Sequence, residues 1–168
     1  MSAPGCGGYG EFNDEQELLH RLRQLSPRTL IIDIEPLVAY WDSTQDALDR
    51  GITHVLHLVA AIPGVAVACF ATNSARRPSA QPRSTAFDVV YLASAHKPVQ
   101  ITPYLSFPRP GVVIGDQVLT DGLLARRLGY AFLHYRAPLT GAPVGPQLLS
   151  RLGRLARRPI FGAPVAAR

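Results

Sequence analysis

The chain has 168 residues, 47% of them apolar and 17% charged, with a net charge of +5 and two cysteines. That length suits one domain around one core, and apolar residues grouped into strand-like and helix-like runs exclude a disordered chain. Cys6 and Cys69 are too few for a disulfide framework, and no apolar run is long enough to cross a membrane.

Residues 1–14 are rich in glycine and lack the charged and apolar regions of a signal peptide, so a flexible tail on a cytoplasmic protein is expected. Residues 15–158 form the single folded domain, and residues 159–168 a C-terminal tail. Leu18, Leu19, Leu22 and Leu25 recur with helical spacing over 15–25, and Ser26-Pro27 ends that helix. Residues 29–34 are a continuous apolar run ending in acid, the pattern of a strand buried on both faces. A helix begins at Ser43 or Thr44, both good N-caps, is interrupted at Gly51, and resumes through Ile62. Residues 65–70 are the second strand. Residues 73–83, rich in Pro, Ser and Arg, form a loop or a poorly formed helix. Residues 87–92 are the third strand, 98–105 a short helix, and 111–114 the fourth strand. Residues 121–128 are helical up to Gly129, and 130–135 are the fifth strand. An amphipathic basic helix over 146–157 carries Arg151, Arg154 and Arg157. This alternation predicts an α/β sandwich, Rossmann-like, with a mainly parallel central sheet of about five strands and no cap domain.

In open parallel sheets, ligands bind beyond the carboxyl ends of the strands, and Asp33, Thr72 and Asp116 all fall there. An acid closing a buried strand is costly without a purpose. If Asp33, Asp116 and Asp121 meet at one sheet edge they repel unless a cation neutralises them, and Mg2+, a hard ion that takes carboxylate oxygens and waters, suits that set. Glu35, two residues after Asp33, shares its side if the strand continues, and can protonate a leaving alkoxide and later deprotonate a water. Thr72 can donate to a phosphoryl oxygen, and Lys97 brings a point charge suited to a phosphoryl group or to the Asp33 carboxylate. His54 and His57 lie one helical turn apart but lack a third ligand, which favours packing and surface roles.

Asp33-Ile34-Glu35-Pro36-Leu37 with Trp41, Thr72-Asn73-Ser74, Lys97-Pro98 and Gly115-Asp116-Gln117 with Thr120-Asp121 follow one another in chain order. The set resembles the motifs of the haloacid dehalogenase superfamily. The likeness is to its capless subclass IIIA, and there to the phosphatidylglycerophosphate phosphatase family. The resemblance implies a Mg2+-dependent phosphomonoester hydrolase. Asp33 attacks phosphorus to form an aspartyl-phosphate, and Glu35 serves as acid and base. Thr72, Asn73 and Lys97 hold the substrate, and Asp33, Glu35 (through its carbonyl), Asp116 and Asp121 serve the metal. No insert long enough for a cap domain lies between these segments, so an open site, or one covered by a neighbouring subunit of a homo-oligomer, is expected; the resemblance implies a phosphorylated, lipid-linked substrate.

The first segment departs from the pattern. Glu35 replaces an Asp and reaches about 1.5 Å further, and a shift of about 1 Å in a catalytic group can cost on the order of a hundredfold in rate. Pro36 and Leu37 also replace the usual residues, as Arg126 does later. Two readings stay open: an active phosphatase, and a catalytically degenerate binding or regulatory protein. The basic C-terminal helix is either a docked helix with a solvated face or a peripheral contact with anionic membrane. Nucleic-acid binding rests on positive charge alone, without interleaved aromatics, and is not expected.

Overall fold

The computed structural model describes residues 8–136 and 160–161. The elements in chain order are β1 (Tyr9–Phe12), α1 (Glu15–Leu25), β2 (Thr29–Asp33), α2 (Gln45–Ala60), β3 (Val67–Ala71), β4 (Asp88–Leu92), β5 (Gly111–Gly115), α3 (Leu123–Leu128) and β6 (Ala131–Tyr135). The six strands form one sheet in the order β1-β6-β5-β2-β3-β4, and every pairing is parallel.

The three central strands β2, β3 and β5 are buried at every position. Their side chains alternate between two cores, as the two-residue period of a strand requires. Leu30, Ile32, Phe70 and Ile114 face a core that also holds Leu18 and Leu22 of α1 and Leu48, Ile52 and Val59 of α2. Ile31, Cys69, Ala71 and Val113 face the opposite core with Leu124, Ala125 and Leu128 of α3 and the rings of Tyr104 and Tyr130. The result is a three-layer, Rossmann-like α/β architecture, with α1 and α2 on one face and α3 on the other. No helix among the described residues is long and apolar enough to cross a membrane.

Local chemistry sets the helix ends. Asp14 caps α1 by accepting from the Glu17 amide at 2.9 Å, and Thr44 caps α2 by accepting from the Ala47 amide at 3.3 Å. Glu15 and Glu17 in the first turn of α1 and Arg23 in its last turn complement the helix dipole.

Four expectations need correction. Residues 9–12 are not part of a flexible tail: Tyr9–Phe12 pairs with Phe132–Tyr135 as a sixth strand. Helix α2 runs unbroken through Gly51. A Cβ at that position would overlap the Val38 carbonyl, so the glycine lets the helix cross closely over the segment that follows Asp33. The segment 98–105 contains only a single 3-10 turn at Thr102–Tyr104. Finally, residues 160–161 do not lie outside the domain as part of a tail, because the Phe161 ring lies 5.3 Å from that of Tyr9 and 5.7 Å from that of Phe132. The basic helix expected over 146–157 lies outside the described residues.

Candidate active site

The strand order places the site. From β2 the chain runs outward through β3 to β4, then returns to the other side of β2 as β5. The reversal opens a crevice beyond the carboxyl ends of β2 and β5, the usual ligand position in such sheets. In the β2–β5 register Ile32 pairs with Ile114, which sets Asp33 beside Gly115, one residue before Asp116. Asp33 has the same parity as Ile31, so it projects toward the α3 side of the sheet.

Asp121 reaches the same point from the other direction. Between β5 and α3 the backbone makes one wide π turn, Val118–Gly122, closed by the Gly122 amide donating to the Gln117 carbonyl at 3.2 Å. Single π turns of this kind recur at functional sites. Here the turn points the Asp121 carboxylate inward, where the Gln117 amide donates to Oδ2 at 3.3 Å. Gly115 is required for this approach, because a Cβ there would overlap that carboxylate.

Lys97 lies in the β4–β5 connection and sends its side chain into the cluster. Its ammonium donates to Asp33 Oδ1 at 2.7 Å, to Asp121 Oδ1 at 2.7 Å and to the Ala71 carbonyl at 2.9 Å. All three of its protons are thus engaged. The backbone is held as well: the Lys97 amide donates to Asn73 Oδ1 at 2.7 Å, and Asn73 Nδ2 donates to the Lys97 carbonyl at 3.0 Å. Arg127 on α3 donates to the Val99 carbonyl at 2.8 Å and to that of Pro98, bracing the same segment.

Asp33, Asp116 and Asp121 each present an oxygen within 4.8 Å of the others. At that separation and an effective dielectric of about 20, each ionised pair repels by roughly 3 kcal/mol. Lys97 offsets one of the three negative charges. Among the described residues neither oxygen of Asp116 has a hydrogen-bond partner, though both are buried. Two remaining negative charges and a buried orphaned carboxylate are the donor set a divalent cation fits, and these three acids could hold one.

The acids' protonation reflects the same crowding. Burial, and then the charge of Asp121, push the Asp116 carboxyl up to about 7. Burial and Asp121 also raise Asp33 well above the usual carboxylate range, against the pull of Lys97. For Lys97 itself burial favours the neutral amine, but Asp121 and Asp33 outweigh it and hold the ammonium charged. His134 Nε2 lies 3.0 Å from the Asp116 carbonyl, which can only accept, so that nitrogen carries the proton.

Glu35 is placed differently from the expectation. β2 ends at Asp33 and residues 35–38 turn, so strand alternation does not align the two acids. Glu35 instead meets the loop after β3. Thr72 Oγ1 donates to its Oε2 at 2.7 Å, Ser74 Oγ to its Oε1 at 3.4 Å, and Arg76 Nη1 lies 3.7 Å from Oε1. Its carboxylate stands outside the three-acid cluster.

Asp33, Glu35, Thr72 and Lys97 nevertheless line one cavity of about 210 Å3 at the strand ends. Asp33 Oδ1 is taken up by Lys97 and by the Ile34 amide at 2.9 Å, whereas Oδ2 accepts no hydrogen bond among the described residues. A separate hollow of about 620 Å3 between α2 and residues 78–86 contains none of the site residues. His54 lies on the surface, paired with Glu15 at 2.6 Å.

Two roles went unread in the sequence. Ser74 and Arg76 hold Glu35, yet Ser74 was read only as the last residue of the Thr72-Asn73-Ser74 segment, and Arg76 sits in a stretch without periodicity that no motif marks. Asn73, expected at the substrate, lines the cavity but bonds the Lys97 backbone through both ends of its amide.

No family model matches the chain, and no curated protein or solved structure matches it. Fold and site therefore define a class: an all-parallel α/β protein with a buried carboxylate–lysine cluster at its switch point.

Proposed function

We propose that the chain is a Mg2+-dependent phosphomonoester hydrolase acting through an aspartyl-phosphate on Asp33. The observation that carries this reading is the Lys97 ammonium at 2.7 Å from both Asp33 and Asp121, beside the orphaned carboxylate of Asp116. Lys97 fixes Asp33 through Oδ1 and leaves Oδ2 to attack phosphorus. As the new P–O bond forms, the bond to the leaving oxygen breaks, and Glu35 in its acid form gives that oxygen a proton. Glu35 then takes a proton from the water that attacks phosphorus, and Asp33 is released. The cation, when bound, supplies charge stabilisation to the phosphoryl oxygens. The hydroxyl of Thr72 orients Glu35.

A lipid headgroup phosphate such as that of phosphatidylglycerophosphate is the substrate that the sequence resemblance suggests. A second reading, a binding or regulatory protein without turnover, draws on the Glu35 carboxylate, already engaged by Thr72 and close to Ser74 and Arg76. Assay of a broad phosphomonoester panel with and without Mg2+, beside Asp33→Asn, separates the two. The hydrolase reading expects turnover that needs both the cation and Asp33. Turnover indifferent to both refutes the mechanism, and no turnover on any substrate favours the binding protein.

A further inference from the structure

Among the described residues, the cavity at the strand ends has one apolar side chain in its lining: Trp41, the only tryptophan of the chain. The other lining residues are polar or charged, among them Asp33, Lys97, Gln117 and Thr120. A half-buried indole beside a cluster built for a phosphoryl group calls for a specific occupant.

The backbone that carries Trp41 is held in place. Arg76 donates to the Tyr40 carbonyl at 2.7 Å, to the Ser43 carbonyl at 2.8 Å and to Ser43 Oγ at 3.0 Å. Those bonds clamp the backbone on both sides of Trp41. The Ser43 amide also donates to the Tyr40 carbonyl at 3.1 Å, closing a tight turn with Trp41 inside it. A loop braced in this way loses little backbone freedom when a ligand packs on its aromatic side chain.

The polar groups nearby are open to a ligand. Among the described residues the Trp41 indole N–H has no acceptor, and neither does the side-chain amide nitrogen of Gln117, whose oxygen accepts from Thr120 at 3.5 Å. The volume of about 210 Å3 lies below the roughly 300–1,000 Å3 of pockets that enclose a drug-sized ligand. It suits a phosphoryl group and one ring, with any remainder of the substrate lying outside.

We propose that Trp41 forms the leaving-group subsite, packing against a flat ring borne by the phosphoryl group, with Gln117 as a polar contact at the ring edge. This rests on the phosphoryl site proposed above and names its substrate class: phosphomonoesters whose leaving group carries a planar ring next to the ester oxygen, in place of the ringless glycerol headgroup phosphate that the sequence resemblance suggests.

Phenylphosphonate and methylphosphonate test it, because their P–C bonds resist hydrolysis and only one carries a ring. Calorimetric titration of the full chain with Mg2+ gives the two dissociation constants. Ring stacking on an aromatic side chain is worth about 1–3 kcal/mol, so phenylphosphonate should bind the wild type at least about fivefold more tightly. Trp41→Ala should cut that ratio below about threefold, and Trp41→Phe should keep most of it. The indole fluorescence of the wild type should shift with phenylphosphonate and stay nearly constant with methylphosphonate. Equal binding of both by the wild type, or a ratio unchanged in Trp41→Ala, overturns the subsite and leaves the phosphoryl site standing. Binding of neither overturns both.

Discussion

Asp116 offers the sharpest stability test of the site. In the metal-free protein its carboxyl is buried, unpartnered and pushed up to about 7, against an ordinary value of 3.8. A raised folded-state value means that the native chain holds a proton that the unfolded chain has released. The stabilisation is therefore fully present below about pH 4 and is lost as the pH rises through about 7. Between pH 5 and pH 8 the loss covers the two units below the folded value, or about 3 kcal/mol at 1.36 kcal/mol per unit. Asp116→Asn removes the titration while keeping the shape. Urea unfolding of both proteins in EDTA at pH 5 and pH 8 measures the difference. With a slope of about 2 kcal/mol/M, the midpoint of the wild type should fall by roughly 1.5 M relative to the variant. Saturating Mg2+ at pH 8 should return the wild type by about 2.7 kcal/mol at a hundred times the dissociation constant, and should leave Asp116→Asn unmoved. Parallel pH profiles for the two proteins would show that Asp116 does not carry the buried charge argued here.

Three further substitutions probe the supports of the cluster. Lys97→Met leaves Asp33 and Asp121 facing each other without their cation and should cost about 3–5 kcal/mol in metal-free urea unfolding; an unchanged midpoint would mean that the pairing contributes nothing. Gly51→Ala drives a Cβ into the Val38 carbonyl and should cost about 1–3 kcal/mol and, on the proposed hydrolase reading, lower turnover through the segment that carries Glu35. Thermal melts and phosphatase assays check both halves of that expectation. Glu35→Asp shortens the side chain out of reach of Thr72 Oγ1 and, on the proposed hydrolase reading, should lower kcat by about ten- to a hundredfold. A rise in kcat would mean that the longer acid is a handicap.

The central strands were legible because each is a continuous apolar run with β-branched residues, a pattern that burial on both sheet faces imposes. Strand β1 was not, because Gly10 and Glu11 interrupt a four-residue segment whose pairing is decided by β6, far away in sequence. Gly51 misled for a related reason. A glycine inside a helix weakens it locally, and only the crossing of Val38 shows why it is there. At the site, the strand-end acids could be read from the cost of placing them, and the four motif segments fixed their order. The cradle around Glu35 could not, since Ser74 and Arg76 reach it by tertiary contacts that leave no period in the chain. The expected alignment of Glu35 with Asp33 failed because the strand stops one residue after Ile32 and the chain turns.

An anomalous difference map from crystals soaked in Mn2+, a stand-in for Mg2+ with the same taste for oxygen ligands, asks the most direct question. One strong peak in contact with carboxylate oxygens of residues 33, 116 and 121 is the predicted result. A map with no peak among those three side chains, at a concentration that loads other sites, would contradict the account.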